Sequence, residues 1–126
     1  MRIAREVFDQ IVRQEAARVI DALPAALKEK ASLVFILTAD RPTPEQAASL
    51  GERDDIWGMY EGISLVERRV DDSATLPDRI TLFRMPIAEA CANIDEARNE
   101  IRRTILHELG HFFGFEELDL EERGLG

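Results

Sequence analysis

The stretch from Asn93 to Gly114 constrains this chain more than any other. Asn93-Ile94-Asp95-Glu96 pairs a cap residue with a glutamate three positions on, a start signal for a helix. Apolar residues then recur in one stripe, Ile94, Ile101, Ile105, Leu109 and Phe112. Gly114 can adopt positive φ and end the helix after Phe113. A helix of this length with a single apolar stripe must have that stripe covered. The rest of the chain therefore has to supply a sheet or further helices.

The preceding residues offer both. Ile3, Val7, Ile11, Val12, Ala16, Val19, Ile20 and Leu23 fall at helical spacing, opposite Arg5, Glu6, Asp9, Arg13 and Arg18. They predict an amphipathic helix over residues 3–22, stopped by Pro24. Leu33-Val34-Phe35-Ile36-Leu37 is a continuous apolar run and predicts a strand buried on both faces, the central one of a sheet. Thr43-Pro44-Glu45-Gln46 combines a cap, a proline at the first helical position and a returning glutamine, so a short helix should reach Leu50 and stop at Gly51. Residues 51–58 read as a loop. Ile63 and Leu65, with Val70, suggest a second strand after Gly62, and Ile80-Thr81-Leu82-Phe83 a third that ends before Pro86. Ile87–Ala92 can form a helical turn, and the acidic stretch Glu116–Glu122 a short helical tail. The fold class is α+β, in one domain over residues 1–126. Its parts are an N-terminal helix, a small mixed sheet, the long helix and a short C-terminal helical tail.

Charge removes several function classes. Of the 126 residues, 16 are Lys or Arg and 25 are Asp or Glu, a net charge of −9. Such a surface repels phosphate backbones and anionic membranes. The single cysteine cannot form an internal disulfide. No uncharged run of signal or bilayer-spanning length occurs, so the expected address is the cytoplasm.

Both histidines of the chain lie in the long helix, as His107-Glu108-Leu109-Gly110-His111. Four residues advance a helix by about 400°, so the two rings project about 40° apart and ~6 Å along the axis. They can converge on one ion, and neutral imidazole is a good zinc ligand. Glu108 sits about 100° around from His107. There it can reach a water on the ion without being a ligand, take its proton and pass it to a leaving amine. This H-E-x-x-H spacing on a helix is the zinc peptidase arrangement.

Two imidazoles need a third partner. The string continues Phe112-Phe113-Gly114-Phe115-Glu116-Glu117, and Gly114 lets the chain turn back over the ion. Glu117 occupies the third-ligand position of the metzincin spacing, with Glu116 and Asp119 as alternatives. Met1, Met59 and Met85 all precede the helix, so no methionine turn follows it. The residues after His111 leave little room for a second ligand-bearing helix.

The chain resembles the small bacterial zincin-like metallopeptidases, or minimal zincins. The resemblance rests on His107–Gly114, the acid at Glu117, the Leu118–Leu120 tail, Gly58-Met59-Tyr60-Glu61-Gly62 and Ile80–Ile87. It implies a zincin core, Zn2+ held by His107, His111 and Glu117, and Glu108 as base. Tyr60, the only tyrosine, and Arg84 are candidate oxyanion donors, with loop anchoring and core packing as the other readings. Phe112, Phe113 and Phe115 read as core, Cys91 as an inert small hydrophobe and Trp57 as an anchor. A strand near residues 80–84 can offer an open edge to an extended peptide.

Two functions fit. One is a zinc-dependent peptidase acting on a peptide or protein. The other is a catalytically inactive zincin-fold module, zinc-stabilised or metal-free, for protein–protein interaction. A third reading joins them, in which a second copy or an accessory chain completes the cleft.

Overall fold

The computed structural model describes residues 1–50, 56–65 and 77–114. Helix α1 spans Arg5–Asp21, and Pro24 caps the short α2, Ala25–Ala31. Strand β1 is Phe35–Ala39 and helix α3 is Pro44–Leu50. Strand β2 is Gly58–Glu61 and β3 is Arg79–Phe83. Helix α4, Arg84–Ala90, and the long α5, Ile94–Phe113, complete the described elements.

Local signals account for the helix ends. The Thr43 hydroxyl accepts from Gln46 N–H at 3.1 Å, and the Gln46 side-chain oxygen accepts from Thr43 N–H at 3.0 Å, a reciprocal capping box on α3. At α5 the Asn93 side-chain oxygen accepts from Glu96 N–H at 2.9 Å, while Glu96 reaches back to Ala92 N–H. Gly114 closes α5 at φ 88°, its N–H donating to carbonyls of the last turn. Pro86 sits in the first turn of α4, where its missing N–H would have had no partner anyway.

The three described strands form one mixed sheet in the order β1-β3-β2. β1 runs parallel to β3, and β2 antiparallel to it. This corrects two expectations. The apolar run at residues 33–37 is not the central strand: β1 lies at an edge, and β3 holds the centre, with Ile80, Leu82 and Phe83 wholly buried. Nor is β1 buried on both faces. Val34 and Ile36 turn to the core, whereas Leu33, Phe35 and Leu37 alternate outward and stay exposed. A continuous apolar run does not by itself show that both sides are covered. The third correction concerns β2, which precedes Gly62 rather than following it; Ile63 and Leu65 lie beyond the strand, and Val70 falls outside the described residues.

Helices α1 and α5 pack against each other and beneath the sheet. On α5, Ile101, Ile105, Leu109 and Phe112 are buried as the stripe predicts, but Ile94 is exposed at the first turn. On α1 the buried line is Phe8, Ile11, Val12, Glu15, Ala16 and Val19. Val7 faces solvent, because the i, i+3, i+4 rhythm starts from Phe8. Among the described residues no helix is long and apolar enough to cross a membrane. The acidic tail, including Glu116, Glu117 and Asp119, lies outside the described residues.

Candidate functional site

The face of α5 opposite its apolar stripe forms the floor of a cleft of about 610 Å³. Thr104, His107, Glu108 and His111 line it from the helix, and Gly58 and Tyr60 from β2. The two histidines converge: their Nε2 atoms are 3.2 Å apart, with the rings nearly perpendicular at 82°. Nitrogens bound to one zinc at about 2.0–2.1 Å in tetrahedral geometry lie about 3.3–3.4 Å from each other. The observed separation fits two ligands on one ion. The Glu108 carboxylate joins them, and one ligand atom from each of the three residues falls within 4.8 Å of the others. All three side chains are half-buried, so the group is sheltered yet reachable from the cleft.

Strand β2 fixes Glu108. Phe83 N–H donates to the Trp57 carbonyl at 2.9 Å, which makes Trp57 and Phe83 a hydrogen-bonded antiparallel pair. By the alternation of such ladders, the backbone groups of Gly58 and Tyr60 point away from β3, toward the cleft. Tyr60 N–H indeed donates to Glu108 Oε1 at 2.9 Å. The edge strand thus orients the carboxylate between itself and the histidines. Among the described strands, the edge beside the site is therefore β2. The expectation of an edge near residues 80–84 is corrected, since β3 is paired on both sides.

This close approach depends on Gly58. A Cβ there would lie 2.5 Å from Thr104 Cγ2 and 3.2 Å from the Thr81 carbonyl oxygen. Gly58→Ala should push β2 off α5 and lower stability by about 1–3 kcal/mol, read from the urea unfolding midpoint. It should also weaken any activity that uses the cleft, because the Tyr60–Glu108 bond moves with the strand.

Tyr60 lies at the site, but its hydroxyl donates to Asp78 Oδ1 at 2.7 Å and its ring packs edge-on against Phe112. Asp78, buried, also accepts from Ile63 N–H at 3.2 Å. Gly62, at φ 152°, permits this bend, and a Cβ on it would collide with the Asp78 carboxylate. Tyr60 is thus an anchor for the end of β2 and reaches the site through its backbone.

Arg84 is not in the cleft. Its guanidinium donates to Asp40 Oδ1 at 2.9 Å and to the Ile3 carbonyl at 2.7 Å, tying α4 to β1 and the N-terminus. Arg5 shares Asp40 at 2.7 Å, and the two guanidiniums, Arg84 first, hold the Asp40 carboxyl below its usual range. Phe112 and Phe113 are core, as read from sequence, and Cys91 is buried. Sequence reasoning missed Asp78 and the structural role of Gly58. The glycines on either side of Met59–Glu61 were the available signal for both.

The family model for zincin-like metallopeptidases matches residues 31–126, and the chain belongs to that family. The α+β fold and the His107-Glu108-His111 group agree with it. The family implies a bound metal, typically zinc, and these side chains can hold one. No curated protein matches the chain.

Proposed function

We propose that this chain is a zinc-dependent peptidase that hydrolyses peptide (amide) bonds. One observation carries the reading: the imidazole Nε2 atoms of His107 and His111 meet beside the Glu108 carboxylate, in a cleft along strand β2. His107 and His111 would hold the ion. Glu117 is the proposed third ligand, with Glu116 and Asp119 as its alternatives. Bound zinc supplies Lewis acidity, which brings the pKa of water to about 7.

The remaining work falls to the chain's own residues. Glu108 takes a proton from the attacking water and gives it to the amine nitrogen that leaves. Tyr60 N–H holds that carboxylate in place during both transfers. Gly58, on the side of β2 away from β3, offers its N–H and carbonyl to an extended peptide laid beside the strand. A base beside the histidines has no use in a purely structural site, which favours hydrolysis over an inert interaction module. The acidic surface suits a peptide or protein partner rather than nucleic acid or membrane, and the cytoplasm is the proposed setting. A second copy or accessory chain is proposed to complete the cleft.

The test is elemental analysis of protein purified without chelator, paired with digestion of a broad peptide library. Wild type should carry about one zinc per chain and cleave in a chelator-sensitive way. His107→Ala and Glu117→Ala should lose most of the metal. Full metal content in Glu117→Ala would remove Glu117 from the coordination sphere. Cleavage untouched by chelator would overturn the metal-dependent reading.

A further inference from the structure

The cleft does not end at the histidines. A second cavity of about 290 Å³ continues it along α5, toward the start of the helix. Trp57, Glu100 and Arg103 line both spaces, so they form the neck between them. The two cavities together follow a single helix face: Glu96, Asn99, Glu100, Arg103, Thr104, His107, Glu108 and His111 recur at three- and four-residue steps. The fifteen helical steps from Glu96 to His111 span about 22 Å, the reach of an extended peptide of some six or seven residues.

The neck and the far cavity have a definite chemistry. Trp57 supplies an apolar wall, and Ala90 and Cys91 line the second cavity beyond the neck. Two carboxylates, Glu96 and Glu100, face this space against one guanidinium. Their field is felt there: burial pushes the Cys91 thiol up, and the charges of Glu100 and Glu96 push it further. Arg103 donates to Glu100 at 3.1 Å, but its side chain is 71% exposed while that of Glu100 is 23% exposed. An i, i+3 pair so open to water is worth under about 1 kcal/mol, so an incoming cation can displace Arg103 at little cost. The displaced guanidinium swings into solvent. An incoming carboxylate would instead meet two fixed acids.

We infer that this neck is a specificity subsite, in which Trp57 and Glu100 select a lysine or arginine side chain of the peptide substrate some residues away from the bond cleaved. The inference rests on the peptidase reading for its substrate class. The aliphatic stem of the side chain lies along Trp57, its cation sits within reach of the ring face, and its head replaces Arg103 on Glu100. The net charge of −9 adds long-range attraction for cationic peptides.

Trp57 is the only tryptophan of the chain, so its emission reports on the neck directly. The full chain, loaded with zinc, is titrated with capped alanine-based hexapeptides carrying one Lys, one Glu or one norleucine. The same peptides are assayed separately for cleavage. The Lys peptide should perturb Trp57 emission and bind about tenfold tighter than the Glu peptide, with norleucine between them. Glu100→Gln should shrink that preference to about twofold, and Arg103→Glu should widen it. Raising salt should weaken the preference without abolishing it.

Equal binding of Lys and Glu peptides overturns the inference, as does a preference that survives Glu100→Gln unchanged. The peptidase reading fails separately. Lys-selective binding with no cleavage of any peptide would remove catalysis and leave the subsite, whereas cleavage indifferent to Lys or Glu would remove the subsite and leave catalysis.

Discussion

Glu108→Gln is expected to keep its metal and lose a factor of about 10² to 10⁴ in kcat, the range in which a positioned general base contributes. The replacement preserves shape. A glutamine side-chain oxygen can still accept the Tyr60 N–H that Glu108 Oε1 accepts at 2.9 Å, so the edge strand and the helix stay in register. The imidazoles of His107 and His111 are untouched and remain able to bind. What the amide cannot do is take up a proton from water and deliver it to a leaving nitrogen. Metal content and turnover should therefore separate in this variant, and they should fall together in His107→Ala. Elemental analysis and library cleavage on the same samples check both halves. Wild-type turnover in Glu108→Gln would take Glu108 out of proton transfer. Metal loss in Glu108→Gln would instead make the carboxylate part of the ion's support.

The helix that carries this chemistry was legible because each of its signals is local. The Asn93 cap, the apolar stripe at three- and four-residue steps and the Gly114 stop all act within one or two turns, and the His pair inherits its geometry from them. The capping box of Thr43 and Gln46 was legible for the same reason. The sheet was not. Whether Phe35 and Leu37 are covered depends on which strand takes the centre, and that is decided by β3 pairing on both sides, 44 residues downstream. The same non-local choice put β2 at the edge among the described strands. The role of Tyr60 followed from it: only with β2 at the edge does its backbone N–H face Glu108. Its phenol, which sequence reasoning offered as a catalytic donor, is occupied by Asp78, a residue eighteen positions away that carries no motif. Glu15 shows the same limit from the other side. Helical periodicity places it on the apolar face of α1, yet nothing in α1 beyond Arg18 announces the arginines that make a glutamate tolerable there.

Those arginines make Glu15 the second position with a large expected effect. Its side chain is fully buried. It accepts from Arg98 at 2.9 Å and Arg102 at 3.2 Å, both on α5, and from Arg18 at 3.4 Å on its own helix. This cluster joins α1 to the helix bearing the histidines. Burial alone would push the carboxyl up. The hydrogen bond from Arg98 and the charges of Arg18, Arg98 and Arg102 outweigh it, and the carboxyl is held below its ordinary range. Removing one partner of a buried ion pair costs about 3–5 kcal/mol. Here the cations remain partly in water and keep other acceptors, Gln14 for Arg98 and Asn99 for Arg102, so the low end applies. Glu15→Ala should cost about 3 kcal/mol, or roughly 10 °C in Tm. Glu15→Gln, which retains one acceptor, should cost about 2 kcal/mol at pH 7. The pH dependence has a fixed sign. A carboxyl whose folded pKa is depressed stabilises fully above its unfolded value, near 4.5, and that stabilisation is lost as pH falls through the folded value. The gap between wild type and Glu15→Gln should hold from pH 7 to about 5 and close at lower pH, because acid protonates the wild-type carboxyl and leaves the amide unchanged. Urea unfolding of both proteins at pH 7, 5, 4 and 3 measures it. A gap that stays constant into acid would mean that the charge of Glu15 does not bind α1 to α5, and that only its shape does.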